Sequence, residues 1–185
     1  MKAALALVAL LMTAMPAMAS DVLSRLGEPG VHAVMRHALA PGSHDPDNFD
    51  ISKCETQRNL SDDGRRQARR AGDLIRAAGV TIDVVWSSRW CRVHETADLM
   101  ALGEVENKGF LRSFSGAAYK GTGRTRELRE ALMALPAGQT ALVVTHNVNV
   151  QALTGVRPLS GEIQVVQISP SGEVTLLGQV EVPIF

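Results

Sequence analysis

Thr140-Ala141-Leu142-Val143-Val144-Thr145 is a short apolar run rich in β-branched residues, and it breaks directly into the polar pair His146-Asn147. A run of this length and composition reads as a strand buried on both faces. Two others share its form. Residues 31–35 end in Arg36-His37, and residues 80–86 end in Ser87-Ser88, with Arg92 four positions further on. Helical patterns separate the three runs, which predicts a three-layer αβα sandwich around a mainly parallel central sheet. Two later stretches, 163–168 and 174–182, flank the turn signal Ser169-Pro170-Ser171-Gly172 and add an antiparallel C-terminal edge.

The helices can be placed from their ends. Ser61 followed by Asp62 and Asp63 supplies an N-cap and first-turn carboxylates. Ala68, Ala71, Ile75 and Ala78 form the inner stripe, and Gly79 stops the helix. The arginines between positions 65 and 76 fall mostly off that stripe and read as a solvated face. A second helix is expected over 90–102, with Val93, Ala97 and Met100 inward and Gly103 as its stop. A third spans about 125–135, and a fourth begins after His146. The polar, irregular segments 41–58 and 104–125 are expected to build pocket walls.

Met1-Lys2, the apolar run 3–15, Pro16 and the small-residue site Ala17-Met18-Ala19 have the order of a secretory signal peptide cut after Ala19. The run is shorter than the roughly 20 residues a membrane span needs. The expectation is therefore one domain over 20–185, periplasmic or secreted, with no stable membrane insertion after cleavage. In an oxidising compartment the two cysteines, Cys54 and Cys91, are expected to pair. Lys+Arg and Asp+Glu are equal at 19 each, which leaves no electrostatic footprint for nucleic acid. Any bound anion must be held by local charge.

In an open α/β sheet, ligands bind beyond the carboxyl ends of the strands, so the residues that end the three runs are expected in one crevice. A phosphoryl group in transfer spreads its charge over equatorial oxygens, and guanidinium forks bind such oxygens with paired, charge-assisted hydrogen bonds. Arg36 and Arg92 suit that task. A neutral imidazole can attack phosphorus in line, and a covalent intermediate divides one hard displacement into two easier ones. His37 suits that. His146 is the second imidazole, kept protonated by a bound dianion and donating to the developing charge. The helix after it turns its free N–H groups toward the same pocket. Ser88 and Asn147 join the substrate-binding set, with Asn147 or Asn149 capping that helix or touching phosphate. His32, His37, His44, His94 and His146 show no metal-ligand spacing, so neither a metal nor an organic cofactor is expected.

These segments resemble the histidine phosphatase superfamily, the phosphoglycerate-mutase-like group. VMRHALAPG resembles its Arg-His-Gly loop, with Ala38 at the glycine position; NLSDDGRRQA resembles the helix after that loop. SSRWCRVHETA resembles the second-arginine helix, with Arg92 as its arginine and Thr96 one turn on, and VVTHNVNVQALTG resembles the second-histidine segment. The resemblance covers nearly all of the expected mature chain. It implies the three-layer fold and a two-step mechanism through phosphohistidine at His37.

The expected activity is phosphomonoester hydrolysis of a small phosphate ester, a phosphorylated sugar or an envelope glycan. A mutase-like phosphotransferase is the alternative, opposed by the leader and the short chain, and a catalytically silent phosphate-binding module is another. A general acid is also required. Asn147 stands where the phytase-like members carry an acidic residue, so it must come from elsewhere: Glu162, at the start of the strand expected beside the His146 strand, with Glu104 and Glu106 as the other candidates.

Overall fold

The computed structural model describes residues 14–114 and 123–184. The first part of the expected leader, 1–13, and part of the second wall segment, 115–122, lie outside the described residues. The elements run α1 (Ala14–Ser24), β1 (Val31–Arg36), α2 (Asp62–Ala77), β2 (Val84–Ser87), α3 (Cys91–Met100) and β3 (Val105–Asn107). They continue with α4 (Gly123–Met133), β4 (Ala141–Thr145), α5 (Asn147–Thr154), β5 (Ile163–Ile168) and β6 (Val174–Val180). Helix α1 spans the expected cleavage point, and on its far side Leu23, with Leu26 beyond the helix, is core. No helix among the described residues is long and apolar enough to cross a membrane.

One six-stranded sheet has the order β3-β2-β4-β1-β5-β6. β3, β2, β4 and β1 are mutually parallel, and β5 and β6 add antiparallel pairs at one edge. Strand alternation divides the core into two layers. Val31, Ala33 and Met35 of β1, with Leu142 and Val144 of β4, pack toward Ala71 and Ile75 of α2 and Val93, Ala97 and Met100 of α3. Val34 and Val143 face the other way, onto Leu128 and Leu132 of α4 and Val150 and Leu153 of α5. Helices thus cover both faces, as a parallel sheet requires.

Local chemistry explains the boundaries. Ser61 caps α2 by accepting from the Gly64 N–H at 3.1 Å, and Gly79 follows the helix at φ +71°. Where α2 crosses α3, Gly72 is obligatory, because a Cβ there would lie 2.1 Å from the Met100 carbonyl oxygen. Several expected bounds need correction. β2 begins at Val84, not at residue 80, because Asp83 turns its carboxylate to the Thr140 N–H at 2.7 Å and ends the strand's apolar character. Helix α3 ends at Met100, and its left-handed residue is Ala101 at φ 52°, not Gly103. The segment expected as a wall over 104–125 contains edge strand β3 and a 3-10 turn, Gly109–Leu111. The first wall segment is irregular apart from the turn Cys54–Thr56. Cys54 and Cys91 form a disulfide with Cα atoms 5.7 Å apart, fastening that wall to the first residue of α3.

Candidate active site

β2, β4 and β1 are adjacent and parallel, so their carboxyl ends line up. His37 directly follows β1, with its backbone N–H donating to the Thr145 carbonyl at 2.9 Å. Its ring is 2% exposed, and Nδ1 lies 2.8 Å from the Ala38 carbonyl oxygen. A carbonyl can only accept, so Nδ1 carries the hydrogen and Nε2 keeps its lone pair. Burial, countered in part by that hydrogen bond and reinforced by Arg92, Arg36 and Arg58, pushes the pKa of His37 down to about 3. The result is a neutral imidazole with a free Nε2.

His146 is the N-cap residue of α5, and its ring meets that of His37 edge to face with centroids 5.8 Å apart. Its Nε2 is 3.0 Å from the Ser88 hydroxyl, and the Trp90 ring stands against it at 5.1 Å. Burial, then the neighbouring His37 and the arginines, hold its pKa well below the ordinary histidine value. The nearby positive charge comes from three arginines. Arg36 ends β1, Arg92 lies in the first turn of α3 and is 4% exposed, and Arg58 comes from the first wall segment. Each has a buried Nε–H with no hydrogen-bond partner among the described residues. Of their other nitrogens, Arg36 Nη1 reaches the Pro158 carbonyl at 3.5 Å, and Arg58 Nη1 donates to the Ala40 and Gly42 carbonyls. Arg92 is paired with Asp45.

The loop carrying His37 is fixed from several sides. The Ala38 N–H donates to Thr96 Oγ1, which in turn donates to the Arg92 carbonyl at 2.6 Å, tying the histidine loop to the arginine helix. Ala38 has no positive φ, so alanine serves where the resemblance places glycine. Gln67, buried on α2, accepts from the Leu39 N–H and donates to the carbonyls of Ser160 and Val182. Gly161, at φ +74°, donates its N–H to the His37 carbonyl, and a Cβ on it would lie 2.4 Å from the Gln67 side chain.

His37, His146, Arg36, Arg92 and Ser88 therefore come together as a group, with Ser88 oriented onto His146. Asn147 opens α5 but does not cap it, because His146 holds the N-cap position and makes no side-chain cap bond. Asn149 is turned to the Arg112 carbonyl instead. Glu162 is buried, and its carboxylate accepts from the Leu159 N–H and from the amides of Gln164 and Gln179. Both carboxylate oxygens are occupied as acceptors, and the strand that Glu162 opens into lies beside β1, not beside the His146 strand β4 as expected. Glu106 pairs with Lys108 on the exposed edge of the sheet, and Glu104 is exposed just before β3. His32 sits on β1, with Nδ1 accepting the Ala141 N–H, and His94 lies beside Ser87 and Asp98. A cleft of about 660 Å³ beside the disulfide is lined by Arg65, Arg89, His94 and Glu95 and does not include the paired histidines.

Sequence reasoning missed Arg58, Asp45 and Gln67. The first two lie inside the segment expected as a pocket wall, where an arginine and an aspartate beside an anion site were a usable signal. Gln67 precedes Ala71 by one turn, at a stripe position where a polar residue implies a buried partner.

A buried, neutral histidine among three arginines thus sits at the carboxyl edge of the parallel strands of an α/β protein, an arrangement whose chemistry suits an oxyanion. Residues 33–122 match the sequence model of the histidine phosphatase superfamily (branch 1), a match that supports assigning the chain to that superfamily. No curated protein sequence matches it significantly. Among solved structures, it is similar to the protein histidine phosphatase SixA complexed with tungstate, with a TM-score of 0.65 at 20% identity, covering 82% of this chain and 96% of that one. It is also similar to a phosphoserine phosphatase from Entamoeba histolytica in complex with 3-phosphoglyceric acid, at TM-score 0.57, 13% identity and coverage of 83% and 98%. A phosphoglycerate mutase from Plasmodium falciparum superposes with TM-score 0.54 at 16% identity, over 80% and 88% of the two chains. At these identities the likeness is one of fold.

Proposed function

We propose that the protein hydrolyses phosphate monoesters through a phosphorylated His37. One observation carries this reading: three buried guanidinium Nε–H groups have no partner among the described residues, beside an imidazole whose Nε2 is unprotonated. Each unpaired buried N–H costs about 1–3 kcal/mol, a cost that three phosphoryl oxygens would remove. Nε2 of His37 attacks phosphorus in line, the P–O bond breaks with its electron pair on the leaving oxygen, which takes a proton from solvent, and the phosphoryl oxygens stay under Arg36, Arg58 and Arg92. Water then attacks the phosphohistidine and breaks the N–P bond, releasing hydrogen phosphate and one proton to solvent and restoring neutral His37. His146, held by Ser88, takes a proton once the dianion is bound and donates a hydrogen bond to the transferring group. The phosphate analogue tungstate in the similar SixA structure supports an oxyanion site in this fold. We read the leader and the disulfide as those of an exported protein, acting on a phosphorylated sugar or envelope glycan.

The test is rapid acid-free quenching during turnover of a ³²P-labelled aryl phosphate. Alkali-stable, acid-labile label on His37 is expected. Label on serine or aspartate would overturn the mechanism, and no phosphate release from any ester would favour the silent binding module.

A further inference from the structure

Arg92 carries five N–H groups, and the structure accounts for three of them. Nη1 donates to Asp45 Oδ1 at 2.7 Å and to the Arg58 carbonyl at 3.2 Å, and Nη2 donates to Asp45 Oδ2 at 3.3 Å. The remaining Nη2–H and the Nε–H lie side by side on the other edge of the guanidinium, a second fork. Nε belongs to the set of buried nitrogens without a partner among the described residues. Asp45 therefore grips one edge of Arg92 and leaves the other whole for two oxygens.

Asp45 is itself held in place. Oδ1 accepts the Arg58 backbone N–H at 3.0 Å, and Oδ2 accepts the Trp90 indole N–H at 3.1 Å. Phe49, on the same segment, stacks on Trp90 at 5.7 Å. The segment is closed by the bond from Cys54 to Cys91, the residue next to Arg92. Burial alone would raise the Asp45 carboxyl, but Arg92, the Arg58 N–H and the Trp90 N–H bring it below its ordinary value. A carboxylate so engaged is a fixed anion, not a proton donor.

We propose that Asp45 is the positioning residue of the phosphoryl site: it locks the outer edge of Arg92 so that Nε–H and the free Nη2–H face the transferring phosphoryl oxygens. The inference rests on the phosphatase reading above. A freely rotating arginine would lose the alignment, and misplacement of a substrate-positioning group costs up to about 100-fold in rate.

A double-mutant cycle tests it, with Asp45→Asn, Arg92→Gln and the double variant in the oxidised full chain. The readouts are kcat/KM for p-nitrophenyl phosphate and the inhibition constant of inorganic vanadate. Asp45→Asn should weaken vanadate and lower kcat/KM by about 10- to 100-fold in the wild-type background. In the Arg92→Gln background the same change should alter vanadate inhibition less than about twofold, because its route of action is already gone. Equal losses in both backgrounds would mean a structural role and overturn the proposal. Tighter vanadate binding by Asp45→Asn would also overturn it, since Asp45 would then be occupying the phosphate's own place. Should the wild type neither hydrolyse the ester nor bind vanadate, the phosphatase reading fails and takes this inference with it, a result the variants cannot imitate.

Discussion

His32 and His37 lie five residues apart on and just beyond one strand, both are buried, and burial pushes both pKa values down, to about 4 and about 3. Their surroundings differ. His32 accepts the Ala141 N–H through Nδ1 and is depressed by burial alone. His37 donates through Nδ1, which frees Nε2, and three arginines add to its depression. A lowered pKa therefore does not mark a reactive histidine. In the proposed reading the tautomer and the charges around it do, and both are set by position: the arginines gather beyond the carboxyl ends of β1, β4 and β2, whereas His32 lies toward the amino ends, against Ala141.

The comparison breaks most directly by substitution. His37→Ala should lower turnover of an aryl phosphate by about 10³-fold or more, the scale of removing a nucleophile that acts with its partners as a unit. His32→Gln should leave kcat/KM within about threefold. A large loss from His32→Gln, or substantial activity in His37→Ala, measured by phosphate release, would erase the distinction between the two ends.

The carboxyl end is also the end that needs tethering. Opening the Cys54–Cys91 bond, which encloses 37 residues of sequence separation, should lower stability by about 3–4 kcal/mol in the chain-entropy account. Denaturant midpoints with and without reductant measure this. Hydrogen exchange should rise first in the wall segment around Asp45, with the strand ladder next to His32 changing last. Uniform loosening would contradict a local tether.

Proton linkage sharpens what the two histidines share. In the unfolded chain both titrate near 6.5, and in the folded chain at about 4 and about 3. Below 6.5 the unfolded state binds more protons than the native one, so stability is present above that pH and is lost as pH falls toward 4. Tm should drop over this window, and His32→Gln should make the drop shallower. An unchanged slope would mean His32 is not the buried neutral group described here.

The smallest effect is expected at Glu162. Its three hydrogen-bond donors predict that Glu162→Gln changes turnover of alkyl and aryl phosphates by similar factors of about threefold or less, in contrast to the 10²–10⁴-fold of a general acid. A loss of that larger size confined to alkyl phosphates would restore Glu162 as the acid.

Much of this was legible in the chain. Period-two and period-3.6 patterns, the Ser61 cap and the turn Ser169-Pro170-Ser171-Gly172 encode elements locally, so the three layers and the antiparallel edge follow from sequence. So do His37, Arg36, Arg92 and His146, because each sits at a strand end or in the first turn of the next helix. The short edge strand β3 was not legible: three residues, two of them exposed, carry no periodicity to read.

By itself, then, the sequence determined the strand order's raw material and the four residues at its ends. Tertiary structure alone decided that Arg58 joins them, that Asp45 grips one edge of Arg92, and that Gln67 spans the His37 loop and the residues before β5. Asp45 and Arg92 are 47 residues apart, and the segment between β1 and α2 has almost no regular structure to fix its side chains. Its conformation follows from where its ends are anchored, by β1, by α2 and by the Cys54–Cys91 bond, and such anchoring is a property of the folded chain that no local pattern encodes.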